Sequence, residues 1–236
     1  MRIDKMDGVV EQFETLGFVH LPGFFSKPLM DHLSDLIIDH FGEAPDYEHD
    51  AEFIAGAKTE IVPWFPQREG VADFDEIEED PEFRAVTSAL IGSAFETQYC
   101  MVMFSKAGTS GQAWHQDCPP EDSRGFNLNR LIYTSDIEER IGGQIVIVPG
   151  SHKTGVISAG DPHEDLPGQI VLKPNKGDLV LLHGHCWHRV LPIKTKYRFS
   201  TNFRAAPSQT PDDITDICVY RNMRYRFSTS EVLEAR

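Results

Sequence analysis

Through the first ninety residues, apolar positions recur mainly at helical spacing. Val9, Val10, Phe13 and Leu16 fall at i, i+1, i+4 and i+7, which predicts an amphipathic helix stopping at Gly17. Residues 18–25 read as a short strand. Ser26 has the character of an N-cap and Pro28 suits a first turn. Leu29, Met30, Leu33, Ile37 and Phe41 then keep one helical face until Gly42. A third helix is signalled by Asp80 as cap and Pro81 at its first position, runs through Phe83, Val86 and Leu90, and ends at Gly92. The stretch between, residues 43–79, is acidic and mixed. It predicts a strand near 60–64 and otherwise loop.

From about Glu96 the pattern changes to short runs of Val, Ile, Phe and Tyr separated by Gly, Pro, Asn and Asp. Strands are predicted over 97–104, 128–134, 144–148, 168–172, 178–182 and 197–203. Such spacing points to a mainly β chain with flanking helices, its core a double-stranded β-helix of the jelly-roll, cupin-like kind. Residues 206–216, rich in Pro and Asp, predict a surface excursion before a short terminal segment. No internal repeat interrupts the chain, and a single domain over 1–236 is the expectation at this length.

Composition narrows the function classes. With 40% apolar and 25% charged residues the chain has the balance of a soluble globular protein, and apolar runs such as 179–182 are too short to span a bilayer. A formal charge of −15 argues against a nucleic-acid partner, since phosphate contacts need clustered Lys and Arg. A small molecule is the expected partner. The first ten residues carry Asp4 and Asp7 and lead into no apolar segment, so the cytoplasm is the expected compartment. The four cysteines show no C-x-x-C spacing, which favours free thiols over a cysteine-built zinc site.

The chemistry concentrates in Trp114-His115-Gln116-Asp117. At a strand end, residues i and i+2 point the same way, so His115 and Asp117 sit side by side with Gln116 turned away. One more histidine would complete a two-histidine, one-carboxylate triad, whose open coordination positions suit Fe(II) and O2. His183, His185 and His188 are the candidates for that place. Taken alone, an H-x-D tripeptide usually binds nothing.

Longer motifs surround it. The segment Gly142-Gly143-Gln144-Ile145-Val146-Ile147-Val148-Pro149-Gly150-Ser151-His152-Lys153-Thr154-Gly155 resembles the strand and loop of the phytanoyl-CoA dioxygenase-like family. So do the run from Lys176-Gly177-Asp178 to Cys186-Trp187-His188 and the opening Leu16-Gly17-Phe18-Val19-His20-Leu21-Pro22-Gly23-Phe24. The resemblance implies that His188, in the Trp-His position, joins His115 and Asp117 as the metal ligands and catalytic centre. His183 and His185 then pack or support, and His152 is structural. It further implies Fe(II), 2-oxoglutarate as co-substrate, and O2.

A buried carboxylate tail calls for arginine's planar fork. Arg198 stands ten residues past His188, where the family places its carboxylate-binding arginine, and Ser200 shares its strand face. Gln98, seventeen residues before His115, has the spacing of a co-substrate-contacting glutamine in ectoine hydroxylase, a relative. On alternation, however, it shares a face with Cys100, Val102 and Phe104.

The activity so implied is oxidation of a small metabolite or natural-product intermediate, by default hydroxylation, with release of succinate and CO2. Asp117 disfavours halogenation, which needs a small residue there. The alternative is a cupin-like hydrolase or isomerase using the same histidines without 2-oxoglutarate. Substrate-facing candidates are Trp64, Phe65, Arg124, Arg130 and Trp187, with 118–127 as a lid.

Overall fold

In the computed structural model, which describes residues 3–42, 51–57 and 59–236, the local signals resolve into six helices and thirteen strands. The helices are α1 (Ile3–Leu16), α2 (Lys27–Phe41), α3 (Ala51–Ala57), α4 (Asp75–Glu79), α5 (Pro81–Ile91) and α6 (Asp212–Thr215). The strands begin with β1 (Phe18–Leu21), β2 (Val62–Trp64), β3 (Glu96–Ser105), β4 (Gln112–Gln116), β5 (Leu128–Ile132) and β6 (Ile145–Ile147). They continue with β7 (Ile170–Leu172), β8 (Leu179–His183), β9 (His188–Val190), β10 (Arg198–Ala206), β11 (Ile217–Tyr220), β12 (Met223–Arg226) and β13 (Glu231–Ala235).

Two antiparallel sheets result, ordered β1-β8-β5-β10-β3-β2 and β13-β12-β11-β4-β9-β6-β7. Strands far apart in sequence are neighbours in space, as a double-stranded β-helix requires. The caps behave as their residue types dictate. Ser26 Oγ accepts from the Leu29 N–H (3.4 Å) at the start of α2, and Asp80 Oδ1 accepts from the Phe83 N–H (2.8 Å) at the start of α5.

The helices cover one face of the first sheet. Met30, Leu33 and Ile37 of α2 and Phe83 and Val86 of α5 are buried with Phe104, Leu181, Phe199 and Phe203 in the main apolar core. Strand alternation divides β10 cleanly. Phe199, Phe203 and Ala205 enter that core, whereas Arg198, Ser200, Asn202 and Arg204 line a cavity between the sheets. On β3, Val102 and Phe104 face the helices and Tyr99, Met101 and Met103 face the cavity.

Several boundaries differ from the sequence reading. α1 starts at Ile3, earlier than its apolar face indicated. Of the stretch 43–79, residues 43–50 lie outside the described residues. The remainder holds α3, β2, α4 and two single turns of 3-10 helix, where mostly loop was expected. Beyond residue 206 comes more than an excursion: α6 leads into the meander β11–β13, which joins the second sheet through Val219↔Gln116 and Tyr220↔His115. These strands alternate weakly because β12 interleaves half-buried arginines with buried Met223 and Tyr225, and β13 is mostly exposed. All four cysteines are free and buried. Among the described residues, no helix is long and apolar enough to cross a membrane.

Candidate metal centre

β4 pairs with β9 across a bulge so that His115 lies directly opposite His188. Asp117 follows β4 immediately and its N–H donates to Gly184 O at 2.8 Å. The imidazole centroids are 4.1 Å apart. His188 Nε2 is 3.3 Å from Asp117 Oδ2 and His115 Nε2 is 3.9 Å from Asp117 Oδ1. One ligand-capable atom of each residue lies within 4.8 Å of the others, and all three residues are buried. This is the only such cluster of three or more His, Cys, Asp or Glu among the described residues.

The donor chemistry fits a cation. His115 Nδ1 sits 2.8 Å from Ala113 O and His188 Nδ1 sits 3.0 Å from Cys186 O. A carbonyl can only accept, so each Nδ1 carries the proton and each Nε2 lone pair faces Asp117. Burial, reinforced by His188, pushes the His115 pKa down to about 3. Burial opposes ionisation of Asp117, but Arg204, His188 and His115 outweigh it and hold the carboxyl well below its usual range. A neutral imidazole and a carboxylate are the forms that ligate metal. Tyr220 stacks on His115 (5.0 Å, 18°) and fixes its plane. Gln116 turns away, its amide donating to Gly155 O (3.1 Å) and His185 O (2.8 Å).

A second feature shares the cavity. Arg198 is 4% exposed and Ser200 1% exposed, and both line it. Among the described residues no carboxylate pairs with Arg198. Its Nε, Ser200 Oγ, Tyr133 Oη and Gln144 Nε2 are buried without hydrogen-bond partners. Burial lowers the Arg198 pKa, opposed by the Tyr133 phenol. A desolvated guanidinium among idle donors is costly unless an anion completes it. Gly143 keeps this space open: at φ +76°, a Cβ there would lie 2.8 Å from Arg198 Cγ.

The cavity itself, about 360 Å³, has Met103, Leu131, Ile145 and Leu182 among its apolar lining residues. Gln98 does not line it. Its parity carries it to the face opposite Tyr99, and its amide donates to Thr215 Oγ1 at 2.6 Å.

Of the substrate-facing candidates only Phe65 lines the cavity. Trp64 stacks on His40 in the helix-covered core (4.0 Å, 11°), and Trp187 donates to Gly155 O. Arg124 is held outside by Asp122 and Asp213. Arg130 sits on the helix-covered side, paired with Glu78 at 2.5 Å. None of residues 118–127 lines the cavity. His183 stacks on Phe126 (3.9 Å, 12°) beside His152 and His185, apart from the His115 cluster.

Three residues escaped the sequence reading: Asn129, Asn202 and Arg204. Arg204 Nη2 donates to Asp117 Oδ1 (2.8 Å), Asn129 Nδ2 donates to Asp117 Oδ2 (2.7 Å), and Asn202 Nδ2 donates to Asn129 Oδ1 (2.8 Å). The available signal was parity, because Asn202 and Arg204 continue the strand face of Arg198.

The family model described as phytanoyl-CoA dioxygenase matches residues 13–198. Among solved structures, the epimerase SnoN in complex with Fe3+, alpha ketoglutarate and nogalamycin RO is similar, with a TM-score of 0.67 at 18% identity, covering 93% of this chain and 87% of that one. HygX from Streptomyces hygroscopicus, with nickel and 2-oxoglutarate bound, gives 0.66 at 16% identity over 85% and 87%. EvdO2 from Micromonospora carbonacea var. aurantiaca, complexed with 2-oxoglutarate, gives 0.66 at 19% over 88% and 93%. At such identities the likeness concerns the fold. Among curated proteins, no sequence match was found.

Proposed function

The chain belongs to the phytanoyl-CoA dioxygenase family, and on that premise we propose that it is an Fe(II)- and 2-oxoglutarate-dependent oxygenase acting on a small molecule. One observation carries the reading: two histidines and a carboxylate converge on the same cavity as a buried arginine that no carboxylate among the described residues pairs with. The three structural neighbours above carry iron or nickel, or 2-oxoglutarate, on this fold, and that supports the assignment.

In this reading His115 and His188 hold the metal through Nε2, each ring locked by its Nδ1 carbonyl contact, and Asp117 supplies the anionic ligand. Arg198 binds the distal carboxylate of 2-oxoglutarate, with Ser200 and Tyr133 beside it. When bound, iron and 2-oxoglutarate activate O2 as the co-substrate is decarboxylated to succinate and CO2. Met103, Leu131, Ile145 and Leu182 keep water from the reacting centre. Hydroxylation of an unactivated C–H is the outcome we propose. The epimerase among the neighbours marks a second outcome open to such a site.

The test is succinate formation from 2-oxoglutarate under O2. Wild type is expected to form succinate only with Fe(II), and Asp117→Ala is expected to form none above background. Full turnover in Asp117→Ala would overturn the assignment.

A further inference from the structure

Arg204 is only 3% exposed, yet its guanidinium is not used up. Nη2 is engaged by Asp117 and Nε by Asn129 (3.2 Å), while Nη1 is buried with no partner among the described residues. Tyr99 stands directly opposite Arg204 in the β3–β10 register, and its Oη is likewise buried and unpartnered. Both residues line the cavity. The Arg204 guanidinium lies over the Tyr99 ring at 5.4 Å, so two unpartnered polar atoms, one on a charged group, belong to adjoining side chains, and Arg204 shares its strand with Arg198 at the other end. Five residues of β10 lie between them, so about 20 Å of strand separates Arg204 from Arg198, and one small diacid does not need both arginines.

Charge points the same way. Asp117 is already bound by Arg204 and faces His115 and His188. Asp216, the other carboxylate lining the cavity, is occupied by Ser228 (N–H 2.7 Å, Oγ 2.5 Å) and Arg226 (3.8 Å). Arg68, at the exposed rim, lies over Phe65 (4.1 Å) and Tyr99 (5.7 Å), and no carboxylate among the described residues pairs with it. Once Fe(II) and 2-oxoglutarate are in place, the two inner arginines and the metal balance Asp117, Asp216 and the two carboxylates of the co-substrate, so that Arg68 at the rim is the positive charge left for the substrate to meet.

The wall between Arg68 and Arg204 is aromatic. Tyr99 is stacked with Phe227 (5.8 Å, 18°), and Phe65 meets both edge-on (5.5 and 5.9 Å). Such a surface favours flat π-systems over flexible chains.

We infer that the substrate is a flat aromatic or conjugated molecule bearing a carboxylate or phenolate, that Arg204 Nη1 and Tyr99 Oη bind this oxyanion, and that Arg68 draws it to the mouth. This deepens the functional reading above and rests on it.

The test uses the full chain as its anaerobic Fe(II)·2-oxoglutarate complex, whose visible metal-to-ligand charge-transfer band reports the co-substrate separately. The probes are 2-naphthoate, 2-naphthamide, 2-naphthylmethylamine and cyclohexanecarboxylate. Expected is a shift of the band by 2-naphthoate without bleaching, at about tenfold lower concentration than the amide or the cyclohexane acid, and no response to the amine. Tyr99→Phe, which removes a single oxygen, weakens naphthoate about tenfold and leaves the 2-oxoglutarate titration unchanged. Equal binding of naphthoate, amide and amine, an unaffected Tyr99→Phe, no naphthoate binding, or bleaching through displacement of 2-oxoglutarate overturns the oxyanion anchor while the oxygenase reading stands. A cyclohexane acid as tight as naphthoate overturns the aromatic part. A complex that never forms the band brings down both readings together.

Discussion

Arg204 and Asn129 hold the two oxygens of Asp117 separately, Arg204 Nη2 on Oδ1 at 2.8 Å and Asn129 Nδ2 on Oδ2 at 2.7 Å. The carboxylate is thereby fixed in rotation before any metal arrives. Removing one of these contacts frees the group to turn and raises the cost of ligation.

Asn129→Ala is accordingly expected to weaken Fe(II) binding by about 10–100-fold. Co(II) titration followed by its ligand-field spectrum measures this. The co-substrate requirement of the metal-saturated variant should stay at the wild-type level, because Arg198 is untouched.

Gly143 leaves room for the stem of Arg198, and its φ of +76° resists any side chain. Gly143→Ala should therefore raise the 2-oxoglutarate concentration for half-saturation by about tenfold, with metal affinity unchanged. A variant that binds 2-oxoglutarate as wild type does would show that Arg198 tolerates displacement.

Glu78 and Arg130 form an ion pair at 2.5 Å with the Arg130 side chain fully buried, and Arg130 also donates to Phe203 O at 2.8 Å. Glu78→Leu strands that charge and is expected to cost about 3–5 kcal/mol of stability. Urea unfolding gives the figure. The 2-oxoglutarate titration of the folded variant should not move, since Arg130 faces the helices.

The sequence revealed what is local. The Ser26 and Asp80 caps, the apolar faces of α2 and α5, and the His115–Asp117 pair depend on neighbours within a turn or a strand, and each stands where its residues predicted. α3 and α4, of seven and five residues, are too short to show a period, and α4 has only Ile77 as an apolar position. β9 is three residues long and begins at His188, so no alternation precedes it. Arg198 could be placed through family resemblance. Arg204 could not, because its contact with Asp117 joins β10 of one sheet to the end of β4 in the other, a packing that no single segment encodes.

His183 offers a test of stability against pH. Burial, then His185 and His152, press its pKa down to about 2, against about 6.5 in the unfolded chain. Protons therefore bind the unfolded state first. The destabilisation is absent above pH 6.5 and grows as pH falls toward 2, by up to about 1.4 kcal/mol per unit. His183→Asn, which keeps an acceptor for the His185 N–H (3.1 Å), should lose less stability than wild type between pH 7 and 5. Parallel losses in the two proteins would contradict this.

The most direct test of the central claim is an anaerobic titration of Fe(II) and 2-oxoglutarate into the apoprotein, with His188→Ala and Arg198→Ala alongside. Wild type is expected to develop the visible charge-transfer band, His188→Ala to lack it, and Arg198→Ala to need at least about tenfold more 2-oxoglutarate. No band in a folded, iron-loaded wild type would contradict the oxygenase assignment and return the site to a metalloenzyme that works without 2-oxoglutarate.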